Sequence, residues 1–105
     1  MKNLLYVQHP GEVLREELEF RGITGKLFST VIGKSVSELS ELLNKKRNLT
    51  AKWAILIGEA LNISPEFWLG LQKDYDLAYE IEKIRKGSLE KVKNNAITYG
   101  ILEKV

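Results

Sequence analysis

The sequence predicts an all-α fold, and three observations predict it. Helix start signals recur at Pro10, Thr24, Ser35, Thr50 and Ser64. Stop signals stand at Gly22, Gly33, Asn44 and Asn62. Between them the apolar residues recur at the three- and four-residue spacing of a helix face.

The first helix is predicted to begin at Pro10, where a missing N–H costs nothing because that donor has no partner inside the helix. His9, the only histidine, stands where its ring can cap this helix, and no second metal ligand or catalytic partner accompanies it. Glu12, Glu16 and Glu17 suit the positive end of the helix dipole. Glu16 and Glu17 are adjacent, so they diverge by about 100° and do not form a convergent carboxylate pair. Val13, Leu14, Leu18 and Phe20 are the expected buried side, and Gly22 with Ile23 reads as a Schellman end. The second helix, short, runs from its Thr24 cap to Gly33, with Leu27, Phe28, Val31 and Ile32 clustered on one side.

The third helix opens with Ser35 and Glu38, the S-x-x-E pattern of a capping box. Leu39, Leu42 and Leu43 share one arc, and Ser37, Ser40, Glu41 and Asn44 share the opposite one. Asn44 and the run Lys45-Lys46-Arg47 close it. The fourth helix, WAILIGEAL after Thr50, is apolar nearly all round and is expected at the centre. The fifth begins at Ser64-Pro65-Glu66, carries Trp68, Leu71, Tyr75 and Ala78 on one stripe, and is closed by Lys83, Arg85 and Lys86. Its second half carries Leu77, Ile81 and Ile84 on nearly the opposite stripe, which suits a second packing surface against the tail, a second subunit or another protein. After Gly87 the pattern predicts a short helix from Ser88 and then an extended AITYGIL segment.

With 105 residues the chain suits one domain, and 29% charged against 44% apolar residues is an ordinary globular balance. The lack of cysteine excludes disulfides and thiolate metal sites. No apolar run approaches membrane-spanning length and no secretory signal stands at the start, so a cytoplasmic protein is expected. Residues 22–53 hold six cations against two acids, while the rest of the chain is net negative. No phosphate-cradling glycine loop, metal spacing or nucleophile–base arrangement is present, so neither an enzyme nor a cofactor is expected.

Only Gly33-Lys34-Ser35 joins the second and third helices, which makes a helix-turn-helix. In that motif the second helix enters the DNA major groove and the first crosses the backbone. Small Ser37 and Ser40 would allow close approach to base edges, with Lys45, Lys46 and Arg47 near the phosphates. The joint alone is equally compatible with a helical hairpin whose polar face is simply solvated, and the acids Glu38 and Glu41 favour that alternative.

Three segments, HPGEVLREELEFRGIT (9–24), SVSELSELLNKKRNLT (35–50) and LNISPEFWLGLQKDYDL (61–77), together resemble the HigA-type antitoxins of the phage-repressor-like (XRE) helix-turn-helix proteins. The resemblance covers roughly residues 8–80. It implies a five-helix repressor-like DNA-binding domain with a C-terminal extension, divided as an N-terminal arm (1–8), the domain itself (9–86) and a partner- or dimer-contacting extension (87–105). It implies a homodimer on a palindromic operator in its own promoter, and a RelE-like mRNA-cleaving toxin as partner. Base-reading positions then fall on Val36, Ser37, Ser40 and Glu41. Backbone contacts fall on Thr24, Lys26, Asn44, Lys45, Lys46 and Arg47. Leu77, Ile81 and Ile84 become the dimer or toxin surface. The chain departs from the family pattern with Gly25 in place of Gln, Lys45 and Asn48 in place of Gly, and Ser29 in place of Ala. A protein-interaction module without DNA binding, and a phage-type repressor without a toxin, are the alternative readings.

Overall fold

The computed structural model describes residues 7–84 and 86–104, the side chain of Lys86 excepted. Six helices follow one another among these residues: α1 (Pro10–Arg21), α2 (Gly25–Ile32), α3 (Val36–Leu43), α4 (Ala51–Leu61), α5 (Pro65–Lys83) and α6 (Lys86–Thr98). The first six residues of the expected N-terminal arm, and Arg85, lie outside the described residues.

Each of the first five helices begins at the cap its sequence calls for. His9 Nδ1 accepts the Gly11 N–H at 2.9 Å, Thr24 caps α2, Ser35 caps α3, Thr50 caps α4 and Ser64 caps α5. All four expected stops hold: Gly22, Gly33 and Asn62 are left-handed, and Asn44 is the C-cap of α3. At the end of α3 the left-handed residue is Lys45 (φ 63°) rather than Asn44, and the Lys46 N–H returns to the Glu41 carbonyl at 2.8 Å. This is a Schellman-type end on a residue with a Cβ, which carries a conformational cost that glycine avoids.

The core is built from Leu14 and Leu18 of α1, Phe28 and Ile32 of α2, Leu39 and Leu42 of α3, Leu49, then Trp53, Ala54, Ile57 and Leu61 of α4, and Trp68 of α5. The main packing pairs are α4 on α5, α1 on α3 and α5, and α2 on α3 and α4. Gly11 makes the α1–α3 seat possible. A Cβ there would lie 1.9 Å from the Leu42 carbonyl oxygen, so only glycine lets the start of α1 meet the end of α3. Gln72 is a buried polar link from α5. Its Oε1 accepts the Leu49 N–H at 2.7 Å and its Nε2 donates to Asp76 at 2.8 Å, which satisfies the backbone of the α3–α4 joint.

Several apolar expectations are corrected. Phe20 is 88% exposed, because the buried stripe of α1 runs through Leu14 and Leu18 one helical turn apart. On α2 the pair Phe28 and Ile32 faces the core, which turns Leu27 and Val31, each about 100° back around the axis, to solvent. Ile55 of the apolar α4 is likewise exposed. Helix α5 ends at Lys83, and Ile84 is already extended (ψ 124°), so Lys86 does not close it. The tail is a second correction. Instead of an extended segment at 96–102, α6 runs through Ala96 and Ile97 to Thr98, and a left-handed Gly100 returns the Ile101 N–H to Ala96. A sequence of mixed polarity without alternation suits one more helix turn better than an isolated strand, which has no partner for its backbone. None of the described α6 side chains is buried.

Candidate nucleic-acid interface

The α2–α3 joint turns on Gly33 (φ 71°), whose left-handed backbone lets the Lys34 N–H return to Ser29 at 2.9 Å. Helix α3 starts at once. Ser35 Oγ accepts the Glu38 N–H at 3.0 Å and Glu38 accepts the Ser35 N–H at 3.2 Å. These bonds to Ser35, backbone first and then side chain, hold the Glu38 carboxyl below its ordinary range. Its charge therefore serves the helix start rather than opposing an anion at the face.

Val36, Ser37, Ser40 and Glu41 all reach one open concavity of about 520 Å³, completed by Asn44 and Lys46. The structure thus gathers all four expected base-reading residues on the exposed side of α3, with one cation at the edge. Thr24 and Lys26 stand exposed on the first turn of α2, the Thr24 hydroxyl accepting the Leu27 N–H at 3.1 Å.

The run Lys45-Lys46-Arg47 is split three ways. Lys46 lines the α3 concavity. Lys45 leans the other way, 3.4 Å from Glu12, and lines a separate groove with Tyr75, Asp76 and Tyr79. Arg47 donates to Glu41 at 3.0 Å, and its guanidinium lies 5.7 Å from the Trp53 ring centre. Lys34 approaches the same indole, at 5.4 Å. One buried tryptophan therefore supports two half-exposed cations beside α3, each attracted by its ring. The pairing with Arg47 also gives Glu41 a partner within the chain.

Asn44 is tied to α1 by a residue the sequence reading passed over. Arg15 donates to the Asn44 side-chain oxygen at 2.9 Å and to the Leu43 carbonyl at 3.2 Å. Arg15 lies within the segment 9–24, but its partner is 29 positions away, so no local pattern announces the bond. Trp53 was likewise legible only as a core residue. On the second half of α5 Leu77 is exposed and Ile81 half-buried, and Ile84 is exposed just past its end.

Among the described residues no group of side chains has the arrangement of a metal site, and no helix is long and apolar enough to cross a membrane. What the fold defines is an all-helical domain whose second and third helices form a helix-turn-helix with a polar, partly cationic outer face. The chain belongs to the helix-turn-helix family, whose sequence model matches residues 14–68. It is 38% identical over 71 residues to virulence-associated protein A′ of Dichelobacter nodosus, a match covering 67% of this chain and 62% of that protein. It is 43% identical over 68 residues to antitoxin HigA-1 of Vibrio cholerae, covering 64% of each chain. The chain thus spans somewhat less than two thirds of the length of these two relatives. In structure it is similar to PA4674 of Pseudomonas aeruginosa, solved in complex with its operator DNA, with a TM-score of 0.67, 31% identity, and coverage of 70% of this chain and 81% of that one.

Proposed function

We propose that this protein is a non-enzymatic DNA-binding antitoxin of the HigA type, a cytoplasmic homodimer that represses its own operon and neutralises an mRNA-cleaving toxin. The observation that carries the DNA half is the gathering of Val36, Ser37, Ser40 and Glu41 on one exposed face of a helix that is locally capped and joined to α2 by a single tight turn. Placed in a major groove, this face brings two hydroxyls to base edges and an exposed valine to a thymine methyl. Thr24 and Lys26 at the start of α2, and Asn44, Lys46 and Arg47 at and beyond the end of α3, then meet the flanking phosphates. Similarity to an antitoxin and to an operator-bound protein supports both halves of the reading. Residues 9–86 carry DNA binding in this proposal, flanked by the arm at 1–8. The surface at Leu77, Ile81 and Ile84, continued by the extension 87–105, takes the second subunit or the toxin.

A gel shift on the DNA upstream of its own gene tests the repressor half, and salt-sensitive binding to a palindrome there is the expected result. Binding that is absent, or indifferent to salt, overturns it. Arg47→Ala should weaken binding to every sequence and reduce the salt slope by about 0.9, as the loss of one phosphate contact does. Rescue of growth when the chain is co-expressed with the product of the adjacent reading frame tests the toxin half. Failure to bind or silence that product returns the chain to a repressor without a toxin.

A further inference from the structure

A serine hydroxyl at a base edge is ordinarily ambiguous, since it donates to acceptors and accepts from donors. Ser40 is not left ambiguous in this fold. We propose that Arg15, acting through Asn44, fixes the Ser40 hydroxyl as an outward donor, so that α3 reads a purine acceptor at that position and rejects the amino group of cytosine. The inference rests on the DNA-binding reading above.

The geometry runs in one direction. A guanidinium only donates, so the atom of Asn44 that meets Arg15 Nη2 at 2.9 Å is its carbonyl oxygen. The amide nitrogen then faces the other way, where Nδ2 donates to the Ser40 carbonyl at 2.9 Å and to Ser40 Oγ at 3.2 Å. One Ser40 lone pair is therefore occupied and its proton lies elsewhere. Helical hydroxyls commonly bond back to the preceding turn, and on α2 both Ser29 and Thr30 donate to the Lys26 carbonyl, at 2.8 and 3.1 Å. Ser40 makes no such bond among the described residues, although it is exposed on the same face as Ser37. The remaining direction in which its proton finds an acceptor is outward, toward the groove. Purine N7, guanine O6 and thymine O4 all answer a donor there, whereas the cytosine amino group presents a second donor; of the three acceptors, purine N7 is the one proposed. Arg15, Asn44 and Ser40 line one depression together with Gly25. Arg15 is thus a positioning residue that need not touch DNA to influence which base is read.

The test uses the full-length chain and its own upstream DNA. Footprinting locates the half-site, and single 7-deazapurine substitutions then delete N7 without altering base pairing. Wild type should lose roughly three- to tenfold in affinity at one purine per half-site, the range of a single hydrogen bond. Ser40→Ala should erase that penalty. Arg15→Met should remove most of it and admit cytosine at that position, while Arg15→Lys, which keeps a donor for Asn44, should restore part of it. In the free protein, the NMR signals of the Asn44 side-chain amide protons should be shifted and slowed in exchange with water, and both effects should be lost in Arg15→Met. That measurement reports the relay without DNA, and thermal melting confirms that the variants fold. Binding without any dependence on N7, or a dependence left intact by Arg15→Met, overturns the inference and spares the DNA-binding reading. Absence of DNA binding overturns both.

Discussion

The two ends of α3 are held by different means. Its start is fixed by residues three apart in the chain, Ser35 and Glu38, which satisfy each other's backbone N–H groups. Its end is fixed by the rest of the fold. Gly11 admits the Leu42 carbonyl, Arg15 grips Leu43 and Asn44, Glu12 meets Lys45, and Trp53 supports the Arg47 that pairs with Glu41. The first arrangement makes a helix. The second decides how that helix sits on the domain, and so how its outer face is presented. The difference assigns helix formation to local sequence and presentation to tertiary contact, and each assignment is open to experiment.

The largest effect should come from breaking the far end. In Gly11→Ala the new methyl would meet the backbone of Leu42 at 1.9 Å, and backbone does not yield as a flexible side chain does. Overpacking of this kind costs about 3 kcal/mol, so urea denaturation should show a domain close to the edge of folding. Gly25→Ala is the control. Its Cβ would lie at an ordinary 4.0 Å from Leu39 Cδ2, so stability should hold or rise by up to ~1 kcal/mol. Equal melting of the two variants would show that the α1–α3 seat is not as tight as the geometry requires.

This contrast also explains what the sequence made legible. Caps and stops are local, so the starts of α1 to α5 and the stops at Gly22, Gly33, Asn44 and Asn62 could be read from residue order alone. The short motifs were visible, yet their reasons were not. In HPGE, His9 is a cap that also meets Tyr75 edge-on at 4.9 Å, and Gly11 is a point of contact with a helix some thirty residues away. In the segment around Gln72, the amide serves a backbone N–H across 23 positions. Helical periodicity misled where neighbouring apolar pairs compete for one core face, as Leu27–Val31 and Phe28–Ile32 do, because only the packing partner decides which pair is buried. The face of α3 was legible because exposed small polar residues opposite a leucine arc are a pattern within one helix. Arg15 was not, because its role exists only once α1 lies against the end of α3.

Breaking the near end should cost less. Ser35→Ala removes one cap and leaves the Glu38 N–H to water, an expected loss of ~1 kcal/mol. Denaturation midpoints of Ser35→Ala and Gly11→Ala, measured together, rank the two ends directly. A larger loss from the cap would reverse the assignment made here.

The finest distinction between the two ends is their response to acid. His9 braces the start of α1, next to Gly11, and burial pushes its imidazole below the ordinary 6.5, against the pull of Glu12 and Asp76 and with the help of Lys45. Because Nδ1 accepts the Gly11 N–H, the folded state keeps that nitrogen unprotonated, whereas the unfolded chain takes up a proton freely near pH 6.5. The unfolded state therefore binds more protons across this window. The stability His9 contributes is complete above pH 6.5 and declines as pH falls toward its folded value. Glu38 at the near end is also lowered, from 4.5, so its contribution is present above pH 4.5 and is lost only as pH falls through its folded value. Acid should thus loosen the tertiary seat of α3 before it weakens the helix start. Urea melts between pH 7 and 3 test the order: His9→Asn, which keeps a cap but does not titrate, should flatten the dependence just below pH 6.5, and Glu38→Gln should flatten only the portion below pH 4.5. An unchanged slope in His9→Asn would mean that the imidazole is not held neutral by the fold, and the separation of the two ends by pH would fail.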